Sequence, residues 1–184
     1  MIQDTAAAFG FDAATGIDLP NEASGFVFTP DEKKALHEKY PEAYPDDTSW
    51  YTGDSVQLAI GQNVVAVTPV QLAGAYSALA NGGKLYQPSV LDKITAAGDP
   101  TEVHKQYEPK VIRQIDWGSA RESYLTGFRG VVDANSGNPG GTAVSPFSGF
   151  PFASMPLGGK TGTAQTGEDK LGNKRPDNSL FVAF

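Results

Sequence analysis

Leu157-Gly158-Gly159-Lys160-Thr161-Gly162-Thr163-Ala164-Gln165 brings a cation, two hydroxyls and three glycines together in nine residues. An ammonium beside two hydroxyls on an extended strand can hold a carboxylate, and a side-chain-free Gly162 lets a substrate backbone approach closely. One rival chemistry is phosphate binding by G-x-x-x-x-G-K-[ST]. Gly159-Lys160-Thr161 supplies its end, but the first required glycine falls on Ser154. That loop must also open a helix, whereas Thr161–Gly167 is rich in glycine and β-branched residues and is a poor helix former. Taken alone, the triplet reads best as a glycine-rich turn with a solvated lysine. Its meaning depends on the rest of the chain.

Two further stretches supply that context. Thr15-Gly16-Ile17-Asp18-Leu19-Pro20, with Glu22 and Gly25, forms one block. Ala59-Ile60-Gly61-Gln62, then Thr68-Pro69-Val70-Gln71-Leu72-Ala73, Tyr76, Ala80-Asn81-Gly82-Gly83 and Pro88 form another. With Lys160-Thr161-Gly162, a signature element of penicillin-binding proteins and serine β-lactamases, these blocks stand in the order found in class B penicillin-binding proteins. The chain resembles that family of peptidoglycan D,D-transpeptidases. The implied fold class is α+β, an antiparallel sheet flanked by helices.

The family's nucleophile lies in S-x-x-K, and no serine here has a lysine three positions on. Ser89 and Lys93 are four apart, and after Pro88 they read as extended. The family's second element, S-x-N, matches Ser136-Gly137-Asn138 literally, but this match follows the Thr15–Pro20 block instead of preceding it. It reads as coincidence. The resemblance therefore implies that residues 1–184 are a partial transpeptidase domain, from after S-x-N to the strand following Lys-Thr-Gly, truncated at both ends.

The resemblance also implies acyl transfer. A serine attacks the penultimate D-alanine carbonyl of a stem peptide, D-alanine leaves, and the acyl group passes to an amine on a neighbouring strand. β-Lactams mimic the D-Ala-D-Ala terminus. Lys160 and Thr163 are the implied catalytic residues, the Thr163 N–H forming half of an oxyanion hole with the nucleophile's own N–H. Thr161, Gly162 and Thr163 are the implied substrate-binding residues; Gln165 continues the motif and could be only local strand packing. The implied partners are the D-Ala-D-Ala stem peptide, β-lactams and the missing N-terminal half of the same domain, on the extracytoplasmic face of the bacterial plasma membrane. No cofactor and no metal are expected. Without its serine the isolated chain is expected to be inactive. Two other readings stand beside this one: a penicillin sensor or β-lactamase-like hydrolase, and a non-catalytic peptidoglycan-binding scaffold.

Other polar candidates are weaker. His37 and His104 have no cluster of partners and read as surface histidines. Asp46-Asp47 and Glu168-Asp169 read as solvated loop charge, and Trp50, Tyr51 and Trp117 as packed aromatics. The 184 residues are 40% hydrophobic, enough for a sizeable core. A formal net charge of −7 argues against nucleic acid or anionic lipid. The absence of cysteine excludes disulfides and thiolate metal sites. No apolar run approaches 18 residues and the start has no basic region, so no membrane contact by this segment is expected.

The elements that must position the motif are legible in part. Residues 3–9 read as the end of a helix closed by Gly10. Thr29-Pro30-Asp31-Glu32 and Thr68-Pro69-Val70-Gln71 are capping signatures opening helices to Tyr40 and to Gly82. Asp54 can cap a helical stretch through Ile60, and Ser119-Ala120-Arg121-Glu122 reads as a third capping box. The 69–81 helix is expected to bury Leu72, Ala73, Tyr76 and Leu79, and the later one Leu125, Phe128 and Val132. Residues 84–107 read as two strands turning at Gly98-Asp99-Pro100, and 135–156 as a long loop. Lys160–Gln165 is expected to pair antiparallel with 179–184.

Overall fold

The computed structural model describes residues 2–42, 49–62, 65–169 and 171–184. Its helices are α1 (Ile2–Ala8), α2 (Pro30–Lys39), α3 (Thr52–Ala59), α4 (Pro69–Ala80) and α5 (Ala120–Val132). Its strands are β1 (Phe26–Val27), β2 (Val65–Ala66), β3 (Lys84–Tyr86), β4 (Lys93–Ala96), β5 (Asp99–Gln106), β6 (Val111–Gln114), β7 (Gly159–Ala164) and β8 (Asn178–Ala183). They pair antiparallel as β1–β2, β3–β6, β4–β5 and β7–β8. The class is α+β. Two compact units divide the chain: Met1–Ala78 with Lys84–Ile115, and Leu79–Gly83 with Asp116–Phe184.

Local chemistry explains most boundaries in the first unit. Thr29 caps α2 as expected: its hydroxyl accepts the Glu32 N–H at 3.2 Å while Glu32 accepts the Thr29 N–H at 2.8 Å. Such a cap is worth about 1 kcal/mol. Thr68 and Gln71 repeat the exchange at the start of α4, at 2.8 and 3.2 Å. Asp54 differs from expectation. Tyr51 is the capping residue of α3, and Asp54 stands at the third helical position, accepting the Tyr51 N–H at 2.9 Å and pairing with Lys33 at 2.7 Å. Val27 and Leu58 form the buried centre, with Ala6, Phe11, Phe28, Trp50 and Val65 packed around them.

The Thr15–Pro20 block is held as a turn by two carboxylates. Glu22 accepts from the Thr15 hydroxyl and N–H and from the Gly16 N–H. Asp18 accepts the Val90 N–H at 2.9 Å and the Ser89 hydroxyl at 3.0 Å. Gln71, only 2% exposed, gathers the chain beneath them. Its amide donates to the carbonyls of Ala13 at 2.8 Å and Ser24 at 2.6 Å. Gly25 is glycine because its φ is +64° and a Cβ there would stand 2.4 Å from the Ala66 carbonyl.

Three further expectations need correction here. The buried residues of α4 are Gln71, Ala75, Ala78 and Leu79, while Leu72 and Tyr76 are half-buried and Ala73 is exposed. The inward face is set by the Gln71 amide, which an apolar-periodicity reading discounts. The hairpin β4–β5 turns at Ala97-Gly98, so Asp99 and Pro100 already belong to β5. Lys84–Tyr86 is a third strand in that region, and it pairs with β6, which the sequence reading did not assign.

In the second unit, α5 buries Val132 and half-buries Leu125 and Phe128, the face its periodicity indicates. Ser119 makes no capping bond, because its backbone is already helical (φ −77°, ψ −8°). Asp116 instead organises the entry by accepting the Gly118 N–H at 2.8 Å. Residues 137–158 form a long succession of turns, which leads into β7.

Candidate functional site

The β7–β8 ladder positions the motif, and its register is continuous from Gly159↔Ala183 to Ala164↔Asn178. Just before it, Gly158 and Phe184 exchange both backbone bonds, at 2.9 and 3.0 Å. Antiparallel ladders alternate between such bonded pairs and non-bonded ones. Residues 160, 162 and 164 therefore bond to β8, while the N–H and C=O groups of Thr161 and Thr163 point to the opposite, outer edge of β7. Side chains alternate as well. Lys160 and Gly162 share a face with Leu180 and Val182; Thr161 and Thr163 share the other with Phe181 and Ser179.

Ammonium and hydroxyls thus start from opposite faces and can converge only along the outer edge. Lys160 already reaches there, its exposed ammonium donating to the Thr161 carbonyl at 2.6 Å. Thr163 is exposed, with its N–H directed outward. Among the described residues a Cβ added at Gly162 would meet only Leu180, at 3.6 Å, and none of them requires glycine at that position. An edge with an outward N–H, an ammonium and two hydroxyls suits an extended ligand carrying a carboxylate. Gln165 stands just past the end of the strand.

Aromatic packing fixes both faces at the start of the strand. Phe181 lies across Gly159 and meets Phe147 at a tilt of 37° with centroids 5.5 Å apart; Phe128 of α5 meets Phe184 edge-on at 5.5 Å. The 137–158 segment contributes something that the sequence reading missed. The Thr142 hydroxyl lies 2.7 Å from that of Thr161. No periodicity marks a single loop threonine. The nearest sequence signal is the Gly140-Gly141 pair before it, which indicates a close backbone approach.

The other candidates lie elsewhere. Ser136-Gly137-Asn138 forms a local turn, Ser136 donating to the Asp133 carbonyl at 2.6 Å and Asn138 to that of Gly130 at 3.2 Å. Ser89 serves Asp18, and Lys93 begins β4. His37 is half-buried in α2 and His104 is exposed in β5. Trp50 packs on the Val27–Leu58 centre, Tyr51 lies under the Lys33 ammonium, and Trp117 meets Tyr124 at 5.6 Å. Asp169 is bonded to Asn173 and to the Leu171 N–H; Asp46-Asp47 lies outside the described residues. Among the described residues no cluster of three or more metal-binding side chains occurs.

The profile of the penicillin binding protein transpeptidase domain matches residues 1–184. The chain belongs to that family. It is similar to the peptidoglycan D,D-transpeptidase MrdA of Escherichia coli K12, 29% identical over 96% of this chain and 26% of that protein. It is also similar to penicillin-binding protein H of Bacillus subtilis, 32% identical over 86% of this chain and 19% of that protein. The chain thus spans about a quarter or less of the length of these curated relatives. Among solved structures, penicillin-binding protein 2B of Streptococcus pneumoniae R6 superposes with a TM-score of 0.69, at 26% identity, over 99% of this chain and 26% of that one. Penicillin-binding protein 3 of Mycobacterium tuberculosis, solved with ampicillin, shares the fold at 23% identity with a TM-score of 0.65, over 98% of this chain and 35% of that one.

Proposed function

We propose that this chain supplies the Lys-Thr-Gly wall of a serine D,D-transpeptidase that cross-links peptidoglycan stem peptides and is acylated by β-lactams. The observation that carries this reading is the outer edge of β7. There the Thr163 N–H points away from β8, beside the Lys160 ammonium and the Thr161 and Thr163 hydroxyls. A stem peptide ending in D-Ala-D-Ala lies along that edge, its terminal carboxylate held by the two hydroxyls and Lys160. The reacting carbonyl oxygen takes the Thr163 N–H as one oxyanion donor.

The nucleophilic serine comes from the remainder of the domain, N-terminal to residue 1, since no serine here has a lysine at the S-x-x-K spacing. That serine attacks the penultimate carbonyl, the C–N bond to D-alanine breaks, and the ester passes to an acceptor amine, restoring the hydroxyl. Such a reaction would act on peptidoglycan at the outer face of a bacterial plasma membrane. Among the described residues no helix is long and apolar enough to cross a membrane.

The test uses the full-length protein that contains this chain and a fluorescent penicillin. Lys160→Ala should reduce the acylation rate by at least a hundredfold, consistent with loss of a principal electrostatic group. An unchanged rate overturns the assignment. The 184-residue chain by itself should remain unlabelled, and boil-resistant labelling abolished by mutating one of its own serines would reveal a nucleophile within it.

A further inference from the structure

Thr142 lies on neither strand of the site, yet its hydroxyl is 2.7 Å from that of Thr161. Its position is not left to a flexible loop. On one side, Gly141 packs against the last turn of α5 so closely that a Cβ would stand 2.1 Å from the Gly130 carbonyl. On the other, Ala143 is 4% exposed and donates its N–H to the Val131 carbonyl at 2.9 Å. Asn138 reinforces the arrangement by donating to Gly130. Both neighbours of Thr142 are fixed to one helix terminus, and its side chain is directed at the Thr161 hydroxyl.

We propose that Thr142 is a positioning residue that orients the Thr161 hydroxyl toward a ligand carboxylate. The inference rests on the transpeptidase reading of β7. A hydroxyl carries one proton and two acceptor sites. If Thr142 donates to Thr161, the Thr161 proton is released for the carboxylate, and the two bonds polarise each other in one direction. With valine at 142, the Thr161 hydroxyl loses its donor and turns freely. An exposed threonine with this geometry has no core to support, so its hydroxyl matters for ligand orientation more than for folding.

The experiment measures acylation of the full-length protein by a carboxylate-bearing fluorescent penicillin across concentrations. Thr142→Val should lower the second-order rate roughly three- to tenfold, the range of one neutral hydrogen bond. The change should fall on the half-saturating concentration and not on the limiting rate. Thr142→Ser should restore it, and Thr142→Val should add little in a Thr161→Val background. Normal acylation by Thr142→Val beside an impaired Thr161→Val overturns the inference and leaves the site assignment intact. So do fully additive effects or failure of rescue by serine, which indicate a packing role. If neither Thr161→Val nor Lys160→Ala changes acylation, the site assignment fails and takes this inference with it.

Discussion

At the scale of single residues, the side chains that identify the family divide into two kinds. Lys160, Thr161 and Thr163 stand at an exposed edge, whereas Gln71, Glu22 and Asp18 hold backbone segments together. Gln71 is the clearest of the second kind. Its amide ties Ala13 and Ser24 to the start of α4 while nearly inaccessible to solvent. Gln71→Ala should therefore leave buried carbonyls without donors and cost about 1–3 kcal/mol for each group stranded. Urea denaturation checks this, and Gln71→Glu should be no better, since a carboxylate cannot donate to those carbonyls. The place of Gln71 three residues after Thr68 makes its capping role legible, but its donation to Ala13 and Ser24 is not, because a buried glutamine has no periodic signature.

At the scale of elements, legibility followed locality. The caps at Thr29 and Thr68 depend on residues three apart, and both formed as read. The β7–β8 pairing was equally legible, because β-prone segments flank a polar connection rich in turn residues. The β3–β6 pairing joins short strands across an intervening hairpin, and nothing in four exposed residues at Val111–Gln114 announces a partner. The α4 face was misread for another reason. Alanine and leucine occur around most of that helix, so apolar spacing could not choose a direction. Tyr76 is accordingly half-buried, and burial raises its hydroxyl pKa. Tyr76→Ala should cost about 3 kcal/mol, the low end for aromatic truncation, as measured by the shift in denaturation midpoint. A cost above about 5 kcal/mol would show a deeper anchorage than the structure gives. Within the candidate site, the motif strand was readable from sequence, while the Thr142 contact was not, since it depends on a turn folding back on α5.

At the scale of the whole molecule, acid sensitivity should come from carboxylates that the fold hydrogen-bonds, Asp18, Glu22 and Asp99 in the first unit and Asp169 in the second. The Val90 N–H holds the Asp18 carboxyl below its ordinary value, and the Thr15 hydroxyl does the same for Glu22. Both groups are charged in the folded protein at pH values where the unfolded chain already binds protons. Their contribution is complete above the ordinary carboxylate range and is lost as pH falls below about 4 through the depressed values. Thermal midpoints followed against pH should decline on that limb, and Glu22→Gln should flatten it; an unchanged limb would mean that other carboxylates dominate. The second unit raises a different hazard: Leu180 and Phe181 are 49% and 44% exposed on a two-stranded sheet. Such a sheet is marginal alone and open to edge pairing. Its alternation also works as a parity code. Odd-numbered residues from 159 to 163 present their backbone groups outward, and even-numbered ones are committed to β8. One residue inserted within β7 ahead of Lys160 would exchange those roles throughout the motif while leaving its composition intact; two would restore them. The connection at 165–177 is under no such parity rule, although hydrogen bonds such as Arg175 N–H to the Gly167 carbonyl, at 2.9 Å, tie its own ends together.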